Sequence, residues 1–464
     1  MQTTYDAATE ARLRALGQEH LLAHAATLDG ERLTRFRSEL AGVNWDEFAG
    51  LKALLAAPAE NAPTRIEPPA ARAKGADPAA DREARKIGED LLRRGAVGVF
   101  VVAGGQGSRL GYEGPKGCYP ATAITRKPLF RVFAEKILAL RKRYGAPIPW
   151  YVMTSRGNHE QTTEFFSAND HFGLPLADVF FLTQDMVPAV DALGRILIEE
   201  PGRIFQSPNG HGGSLLALAR SGALDDMERR GVEQIFYFQV DNPLVEIADP
   251  VFLGYHSGEG AEMSSKVVAK RNPEEKVGVV ALLDGRFGVI EYSDLPSALR
   301  YAKNADGSLR FNDGSIAIHF LRRDFVRSVT GDGLRLPFHL ARKAIPSVDP
   351  VSGERSSVQG VKFETFVFDA LGFCKRSVVF AIDRADEFAP IKNATGDDSP
   401  ATCHEAQSRL FARWLNLAGA AVPVDATGLP PMAIEISPLY ADGVEALIAR
   451  RPGRMPAGEP IVLA

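Results

Sequence analysis

The first part of the chain has the hydrophobic spacing of helices. Within residues 1–57, apolar side chains recur at intervals near 3.6 residues, which predicts amphipathic helices. Residues 58–80 are rich in proline and alanine and have no period, as is typical of a connector that follows a surface. A short helix is predicted from about Asp81 to Arg94. Residues 1–95 are therefore expected to be a helical region with a linker.

A different pattern begins at residue 96. The segment AVGVFVVAGG (96–105) is a continuous, largely β-branched run, typical of a strand buried on both faces of a parallel sheet. Helical periods and short apolar runs then alternate, which predicts an α/β fold with a doubly wound, mixed or parallel sheet. The further predicted strands are PIPWYVMT, DVFFLT, EQIFYFQVDN, SSKVVAK, VGVVALL, RFGVIEY, SIAIHFL and SVVFAID.

The length of the chain supports more than one domain. At roughly 100–200 residues per domain, 464 residues correspond to two or three domains. From about residue 400 the sequence changes to short apolar runs with prolines. We therefore expect a large central domain over 96–400 and a small C-terminal domain over 401–464.

Composition and charge exclude several classes of protein. Hydrophobic residues make up 45% of the chain and charged residues 24%, as in soluble globular proteins. The net charge of −4 does not favour a nucleic-acid partner or an anionic membrane surface. The sequence predicts neither a membrane span nor a secretory leader. Cys118, Cys374 and Cys403 show no paired spacing, which favours a cytoplasmic location.

Glycine is the one residue type in clear surplus, and it clusters. The chain has 43 glycines, and the first cluster lies in VVAGGQGSRLGYEGPKG (101–117), directly after the first predicted strand. Gly104 and Gly105 allow backbone N–H groups to converge on a phosphate without obstruction by a Cβ atom. Arg109 and Lys116 add positive charge. The alternative is a tight strand-to-helix turn with solvated basic residues.

Two familiar nucleotide motifs do not fit this cluster. A dinucleotide fingerprint that starts at Gly105 would need glycine or alanine where Leu110 stands, which disfavours a dehydrogenase. The phosphate-binding loop of NTPases needs a hydroxyl residue after Gly-Lys, but Lys116 is followed by Gly117 and Cys118.

The cluster fits the pattern L/V-x-A-G-G-x-G-[S/T]-R-L-G-x-x-x-P-K. With it, the chain resembles the eukaryotic-type UDP-N-acetylhexosamine pyrophosphorylase family from about residue 96 through EISPL (435–439). The other matching blocks are YVMTS, LTQDMVPA, PNGHGG, QVDNPLV, KVGVV, VIEYSDL, FVFD and EFAPIKN. The resemblance implies a Rossmann-like nucleotide-diphospho-sugar transferase core and the substrates UTP and a sugar 1-phosphate. The products would be a UDP-sugar and pyrophosphate.

In this reaction the substrate phosphate is itself the nucleophile, so the protein has to align and neutralise two polyanions. The resemblance assigns Arg109, Lys116 and Lys392 to that catalytic role. Asp241 ends a predicted buried strand and is the candidate Mg²⁺ ligand, since Mg²⁺ takes few protein carboxylates and completes its shell with phosphates and water. Asp241 could instead cap the following turn, and Asn242 is expected to support the same loop or to contact substrate.

The remaining candidate residues concern the base and the sugar. Gln184 offers both a donor and an acceptor to uracil. The resemblance also implies contacts from Gly104 and Gly105 to uridine and phosphates, and from Phe366 and Phe368 to an N-acetyl methyl group. The full set of expected substrate contacts is Gly104, Gly105, Gln184, Gly210, His211, Asn242, Gly278, Glu291, Ser315, Phe366 and Phe368.

Two departures from the family pattern affect the choice of sugar. His211 stands where the acetylhexosamine enzymes usually have asparagine, and Ser315 and Ile318 replace two further asparagines. N-acetylhexosamine 1-phosphate remains the first expectation. The alternatives are glucose 1-phosphate or a broad range of sugar 1-phosphates, and a catalytically idle sugar-nucleotide-binding protein. The sequence leaves monomer and homo-oligomer open.

Overall fold

The structure is a computed structural model that describes residues 6–58, 62–331, 333–455 and 458–464. The α-helices, in chain order, are α1 (Ala7–Ala15), α2 (Glu19–Ala26), α3 (Gly30–Ala41), α4 (Trp45–Leu54), α5 (Pro78–Arg93), α6 (Leu129–Tyr144), α7 (His159–Ala168), α8 (Gly213–Arg220), α9 (Ala223–Arg229), α10 (Pro250–Gly258), α11 (Ser297–Arg300), α12 (Arg323–Thr330), α13 (Arg384–Glu387), α14 (Pro400–Leu417) and α15 (Val444–Arg450). Short 3₁₀ turns cover Ser108–Leu110, Lys116–Cys118, Asp170–Gly173, Leu176–Asp178 and Val367–Phe373.

The strands, in chain order, are β1 (Ile66–Glu67), β2 (Ala71–Ala73), β3 (Val97–Val102), β4 (Trp150–Thr154), β5 (Val179–Thr183), β6 (Met186–Pro188), β7 (Val190–Asp191), β8 (Ile198–Glu200), β9 (Arg203–Ile204), β10 (Gln206–Pro208), β11 (Gln234–Gln239), β12 (Met263–Ala269), β13 (Val279–Leu283), β14 (Arg286–Ile290), β15 (Asp313–Arg322), β16 (His339–Val348), β17 (Arg355–Glu364), β18 (Val379–Ile382), β19 (Ile434–Ile436) and β20 (Ile461–Leu463).

The chain forms two compact units. The smaller unit consists of Met1–Ala62, Gln184–Ser214 and Leu336–Val367, and the larger unit consists of Pro63–Thr183, Leu215–Arg335 and Phe368–Ala464. These units group the chain differently from the expected segments 1–95, 96–400 and 401–464. That linear division stays a prediction.

A large mixed sheet forms the centre of the larger unit. Its strands lie in the order β2-β18-β12-β15-β11-β3-β4-β5, and the β13–β14 hairpin is attached through β15. Strands β11, β3, β4 and β5 are parallel, whereas β15 runs antiparallel to both β11 and β12. The predicted α/β class with a doubly wound mixed sheet is therefore confirmed.

The strands predicted for this sheet form because their side chains are buried. Every residue of β4 is buried, and so is every residue of β3 except the last. The predicted helix near 81–94 is α5, which begins three residues earlier because Asp77 accepts hydrogen bonds from the N–H groups of Ala79 and Ala80. The short strands β1 and β2 in the predicted connector were not anticipated. Residues 59–61 of that connector lie outside the described residues.

The smaller unit combines the N-terminal helices with strands from the middle of the chain. Its core packs side chains of α1–α4, such as Phe36 and Phe48, against side chains such as Val190, Ile198 and Phe363. β17 pairs with both β16 and β7. The sequence predicts the helices but not this sheet. Among the described residues, no helix combines the length and apolar composition that crossing a bilayer requires.

Candidate functional site

The glycine cluster of the larger unit forms a loop that turns back on itself after β3. The N–H of Lys116 donates to the carbonyl of Gly105 over 3.0 Å, and the N–H of Gly107 donates to that of Gly114 over 2.9 Å. The structure therefore brings the glycines and Lys116 together, as the motif predicts. Arg109 lies on the same loop, exposed, and has no ion-pair partner within the described ranges.

A residue that the sequence analysis missed holds this loop in place. Asn158, which precedes α7, is buried and donates from its amide nitrogen to the carbonyl of Ala103 over 2.9 Å. Its amide oxygen accepts the N–H of Ser155 over 2.8 Å. Gly104 lies against the same residue, since a Cβ atom there would come 3.4 Å from Ser155. In the sequence, nothing distinguishes Asn158 from an asparagine in an exposed loop.

The glycines of this loop differ in what surrounds them. A Cβ atom on Gly105 would meet no protein atom within 4 Å, so this backbone borders open space. A Cβ atom on Gly117 would come 2.1 Å from the ring of Phe130, so glycine is required there for packing. Gly105 therefore offers an accessible backbone surface to a ligand, and Gly117 serves the fold.

Lys116 and Asp241 meet at the ends of neighbouring strands. β3 and β11 are parallel neighbours, and in such sheets the carboxyl ends of strands are where ligands bind. The Lys116 Nζ lies 3.6 Å from Asp241 Oδ2, and the two side chains are 17% and 13% exposed. A half-buried cation and carboxylate are thus placed beside the glycine loop.

The turn that carries Asp241 is fixed to the segment before Lys392. The N–H of Ile391 donates to the carbonyl of Asp241 over 2.8 Å. The amide of Asn242 donates to the carbonyl of Glu387 over 2.7 Å and accepts the N–H of Ala389 over 3.1 Å. Asn242 is 4% exposed. Its polar atoms bond within the protein, so Asn242 supports the loop, and a contact to substrate stays a prediction.

Lys392 lies at the end of this segment. Its backbone N–H donates to the carbonyl of Asp398 over 2.6 Å, and its Nζ lies 3.7 Å from the carboxylate of the same residue. The side chain is 43% exposed. Its ammonium group therefore has access to solvent, a weak ion pair with Asp398 and a contact of 5.6 Å with the ring centre of Phe388.

Three acidic residues of the larger unit, of which Asp249 and Glu387 are buried and Glu246 is partly exposed, could suggest a metal site. Among the described residues, Glu246, Asp249 and Glu387 are the group close enough to share an ion. The Nζ of Lys266 lies 2.9 Å from Asp249 and 2.6 Å from Glu387, and the Nζ of Lys74 lies 2.6 Å from Glu246. Burial would raise the pKa of Asp249, but the two ammonium groups lower it well below its usual range. The lysines therefore occupy the place a metal would take.

Three of the expected sugar contacts lie together on neighbouring strands of the larger unit. The N–H of Ser315 donates to the carbonyl of Gly278 over 2.8 Å. A Cβ atom on Gly278 would come 3.3 Å from Glu291 Oε1 and 2.7 Å from the side chain of Val289. Gly278 is thus required where these strands approach, and it lies beside a carboxylate.

Ile318, His319 and Phe368 of the larger unit are buried. Ser315 and Ile318 are the two residues of β15 that depart from the family pattern. Ile318 is 1% exposed and packs into the main core, so Ser315 is the one of the two that faces the side of Gly278. His319 is buried and shares a hydrogen bond of 2.9 Å with Ser265. Phe368 is buried at the start of a 3₁₀ turn.

In the smaller unit, Gln184 lies against the second glycine cluster. Its amide nitrogen donates to Asn209 Oδ1 over 2.8 Å and to the carbonyl of Gly210. These bonds hold the side chain of Gln184 against the second glycine cluster, and its contact to uracil stays a prediction. Its carbonyl oxygen remains as an acceptor. Gly210 has a φ of +78°, and a Cβ atom there would come 2.2 Å from the carbonyl oxygen of Thr365.

The same unit brings His211 next to Phe366. Their ring centroids are 5.3 Å apart, and those of Phe366 and His339 are 4.6 Å apart. The N–H of Val367 donates to His211 Nδ1 over 3.1 Å, so in the neutral ring the proton resides on Nε2. Burial lowers the pKa of His211 to about 4, and His339 adds to the effect. His211 is therefore a neutral donor at physiological pH.

The sequence and the fold of this chain match those of known uridylyltransferases and pyrophosphorylases. The family described as UTP–glucose-1-phosphate uridylyltransferase matches residues 64–411. The UDP-N-acetylhexosamine pyrophosphorylase-like protein 1 of Mus musculus is 36% identical over 96% of this chain and 94% of its own. The UDP-N-acetylglucosamine pyrophosphorylase of Saccharomyces cerevisiae is 36% identical over 74% of each chain. The crystal structure of the Trypanosoma brucei enzyme of that name, in complex with an inhibitor, matches with a TM-score of 0.82 and 27% identity, covering 100% of this chain and 98% of that one.

Proposed function

Because the chain belongs to the UTP–glucose-1-phosphate uridylyltransferase family, we propose that it transfers the uridylyl group of UTP to an N-acetylhexosamine 1-phosphate. N-acetylglucosamine 1-phosphate is the first candidate acceptor and N-acetylgalactosamine 1-phosphate the second. The products are the UDP-sugar and pyrophosphate. The observation that carries the proposal is the Lys116–Asp241 pair, which lies beside the glycine loop at the carboxyl ends of β3 and β11.

The chemistry requires alignment and charge neutralisation, but no protein nucleophile. An oxygen of the sugar phosphate forms a bond to the α-phosphorus of UTP, and the bond from that phosphorus to the bridging oxygen breaks. The electron pair leaves with pyrophosphate. Arg109 and Lys116, on the loop after β3, are suited to the phosphates of UTP. Lys392, held against the Asp241 turn, is suited to the phosphate of the sugar.

We further propose Mg²⁺ as the cofactor, with Asp241 as its protein ligand. One half-buried carboxylate suits Mg²⁺, because this ion fills most of its shell with water and substrate phosphates. When bound, Mg²⁺ supplies positive charge to the phosphates. Asp241 would hold it, and Lys116 would then exchange its carboxylate partner for a phosphate oxygen.

The choice of sugar has a second candidate. The Ser315–Gly278–Glu291 group supports a sugar-binding role, and the relatives' names favour the acetylated hexose. His211 and Ser315 replace amide side chains of the acetylhexosamine pattern, and these two residues favour glucose 1-phosphate or broad specificity as the alternative.

A cytoplasmic location is also proposed, supported by three free cysteines.

One assay tests the proposal. The purified chain is incubated with UTP, Mg²⁺ and the 1-phosphates of N-acetylglucosamine, N-acetylgalactosamine, glucose and galactose in turn, and pyrophosphate release is followed. We expect the acetylated sugars to give the highest kcat/KM and EDTA to abolish release. If none of the four sugar 1-phosphates leads to pyrophosphate release, the proposed function is overturned. Preference for glucose 1-phosphate would select the alternative.

A further inference from the structure

Asp313 is the first residue of β15. The residue is half-buried, and within the described ranges its side chain has no hydrogen-bond or ion-pair partner. Burial raises the pKa of Asp313 to about 6. A half-buried carboxyl group without a protein partner is available to a ligand that supplies a hydrogen-bond donor.

The register of the strands places Asp313 beside the sugar contacts. β13 lies between β14 and β15, and its pairing puts Gly278 opposite both Ser315 and Glu291. In the next row of the same face, Val280 lies opposite Asp313. Directly opposite residues of antiparallel strands point to the same face, and successive rows on one face are about 7 Å apart. Asp313 therefore extends the face formed by Ser315, Gly278 and Glu291.

The surroundings of Asp313 on this face are apolar. Val280 is fully buried beside it, and Ala269 lies opposite it on β12. The next residue of β12, Lys270, turns its ammonium group to the carbonyl of Pro273 over 3.1 Å. The part of the chain that the structure describes thus provides neither a cation nor a hydrogen-bond donor to Asp313, and an ionised carboxylate is costly here unless a ligand supplies one.

We propose that Asp313 accepts a hydrogen bond from a hydroxyl group of the hexose, other than the group that Glu291 binds. Asp313 is then a second carboxylate that selects the sugar. This inference rests on the proposed function. The resemblance to the family assigns no role to Asp313.

Kinetics of D313A and D313N test the inference, with D306N as a control. Asp306 is an exposed carboxylate that caps its own turn through Ser308. For D313A we expect the KM for N-acetylglucosamine 1-phosphate to rise by about 10- to 100-fold, because a hydrogen bond to a charged group is lost. The KM for UTP should stay within about twofold. D306N should match the wild type in both constants.

Deoxy analogues identify the hydroxyl group concerned. The 3-, 4- and 6-deoxy forms of N-acetylglucosamine 1-phosphate are compared with the parent sugar. With the wild type, one analogue should have a lower kcat/KM than the parent sugar. With D313A, the same analogue and the parent sugar should have equal kcat/KM, since the hydrogen bond is already missing. The melting temperature of D313A should equal or exceed that of the wild type, because a half-buried carboxyl group without a protein partner is removed.

The outcomes separate this inference from the proposed function. If the wild type releases no pyrophosphate with any sugar 1-phosphate, the proposed function fails. If the wild type is active and D313A keeps the sugar KM of the wild type, the inference about Asp313 alone is overturned. A D313A variant that loses kcat and melting temperature together would also overturn it, since the carboxylate would then be structural.

Discussion

Lys116 Nζ lies 3.6 Å from Asp241 Oδ2, and this pair joins two segments that are far apart in the sequence. Lys116 belongs to a 3₁₀ turn in the glycine loop, and Asp241 follows β11. Parallel pairing of β3 with β11 brings the two turns to the same edge of the sheet. In the absence of a ligand each side chain neutralises the other, so the site keeps a cation and a carboxylate ready without an unpaired buried charge.

Replacement of Lys116 should impair catalysis more than folding. We expect K116M to lower kcat by about 10²–10³-fold, because a preorganised charge on the reacting phosphates is lost. K116R keeps the charge and should lose less. Steady-state pyrophosphate release and thermal melting measure the two effects. A large fall in melting temperature with little change in kcat would show that the lysine is structural.

Replacement of Gly105 by alanine should weaken UTP binding, whereas replacement of Gly117 in the same loop should lower stability. Gly105 borders open space, so G105A should fold like the wild type and raise the KM for UTP by about tenfold or more, because the new methyl group would obstruct the phosphates. Gly117 lies against Phe130, so G117A should be overpacked and lose about 1–3 kcal/mol of stability. Melting curves and UTP kinetics of both variants are compared. An unchanged KM in G105A would mean that this backbone does not approach the nucleotide.

The buried ion cluster should be sensitive to removal of one lysine. K266M leaves Asp249 and Glu387 without their fully buried cation, and we expect a loss of about 3–5 kcal/mol. K86M removes a lysine from an exposed pair with Glu83 and should cost at most about 0.5 kcal/mol. Denaturant unfolding of the two variants provides the comparison. Equal stability losses would argue against the cluster as a stabilising element.

His211 should make stability depend on pH. Its folded pKa of about 4 lies below the ordinary value of 6.5, so the unfolded chain binds more protons between these pH values. The neutral form stabilises the protein above about pH 6.5, and that contribution falls as the pH is lowered. Between pH 7 and pH 5 we expect a loss of about 2 kcal/mol that H211Q does not show. Melting temperatures of both proteins at the two pH values test this, and parallel shifts would contradict it.

Much of the large sheet could be predicted because its signal is local. Runs such as 97–102 and 234–239 are apolar on both faces, and only a buried strand accommodates such runs. The sheet of the smaller unit could not be predicted in the same way. β16 and β17 contain polar and exposed residues, and their pairing depends on contact with the N-terminal helices.

The sequence predicts which types of residue form the candidate site, but not which residues hold its loops in place. Glycine, arginine and lysine at fixed spacing indicate phosphate chemistry, and the structure brings Gly105 and Lys116 together. Asn158 and Asn209 were missed, because an asparagine in a loop gives no sign that it is buried and that its side chain is bonded to backbone, as in Asn158, or to another side chain, as in Asn209. The internal use of the Gln184 amide was missed for the same reason.

Residue type and short-range spacing along the chain are enough to predict the N-terminal helices, most strands of the large sheet, the glycine loops and the chemical class of the ligands. The tertiary structure decided which of the glycines border open space and that Lys116 meets Asp241. It also decided that Asn242 supports a loop and that Asp313 joins the row next to Gly278. Those relationships depend on strand register and on packing between distant segments, and hydrophobic periodicity along one segment contains no information about either.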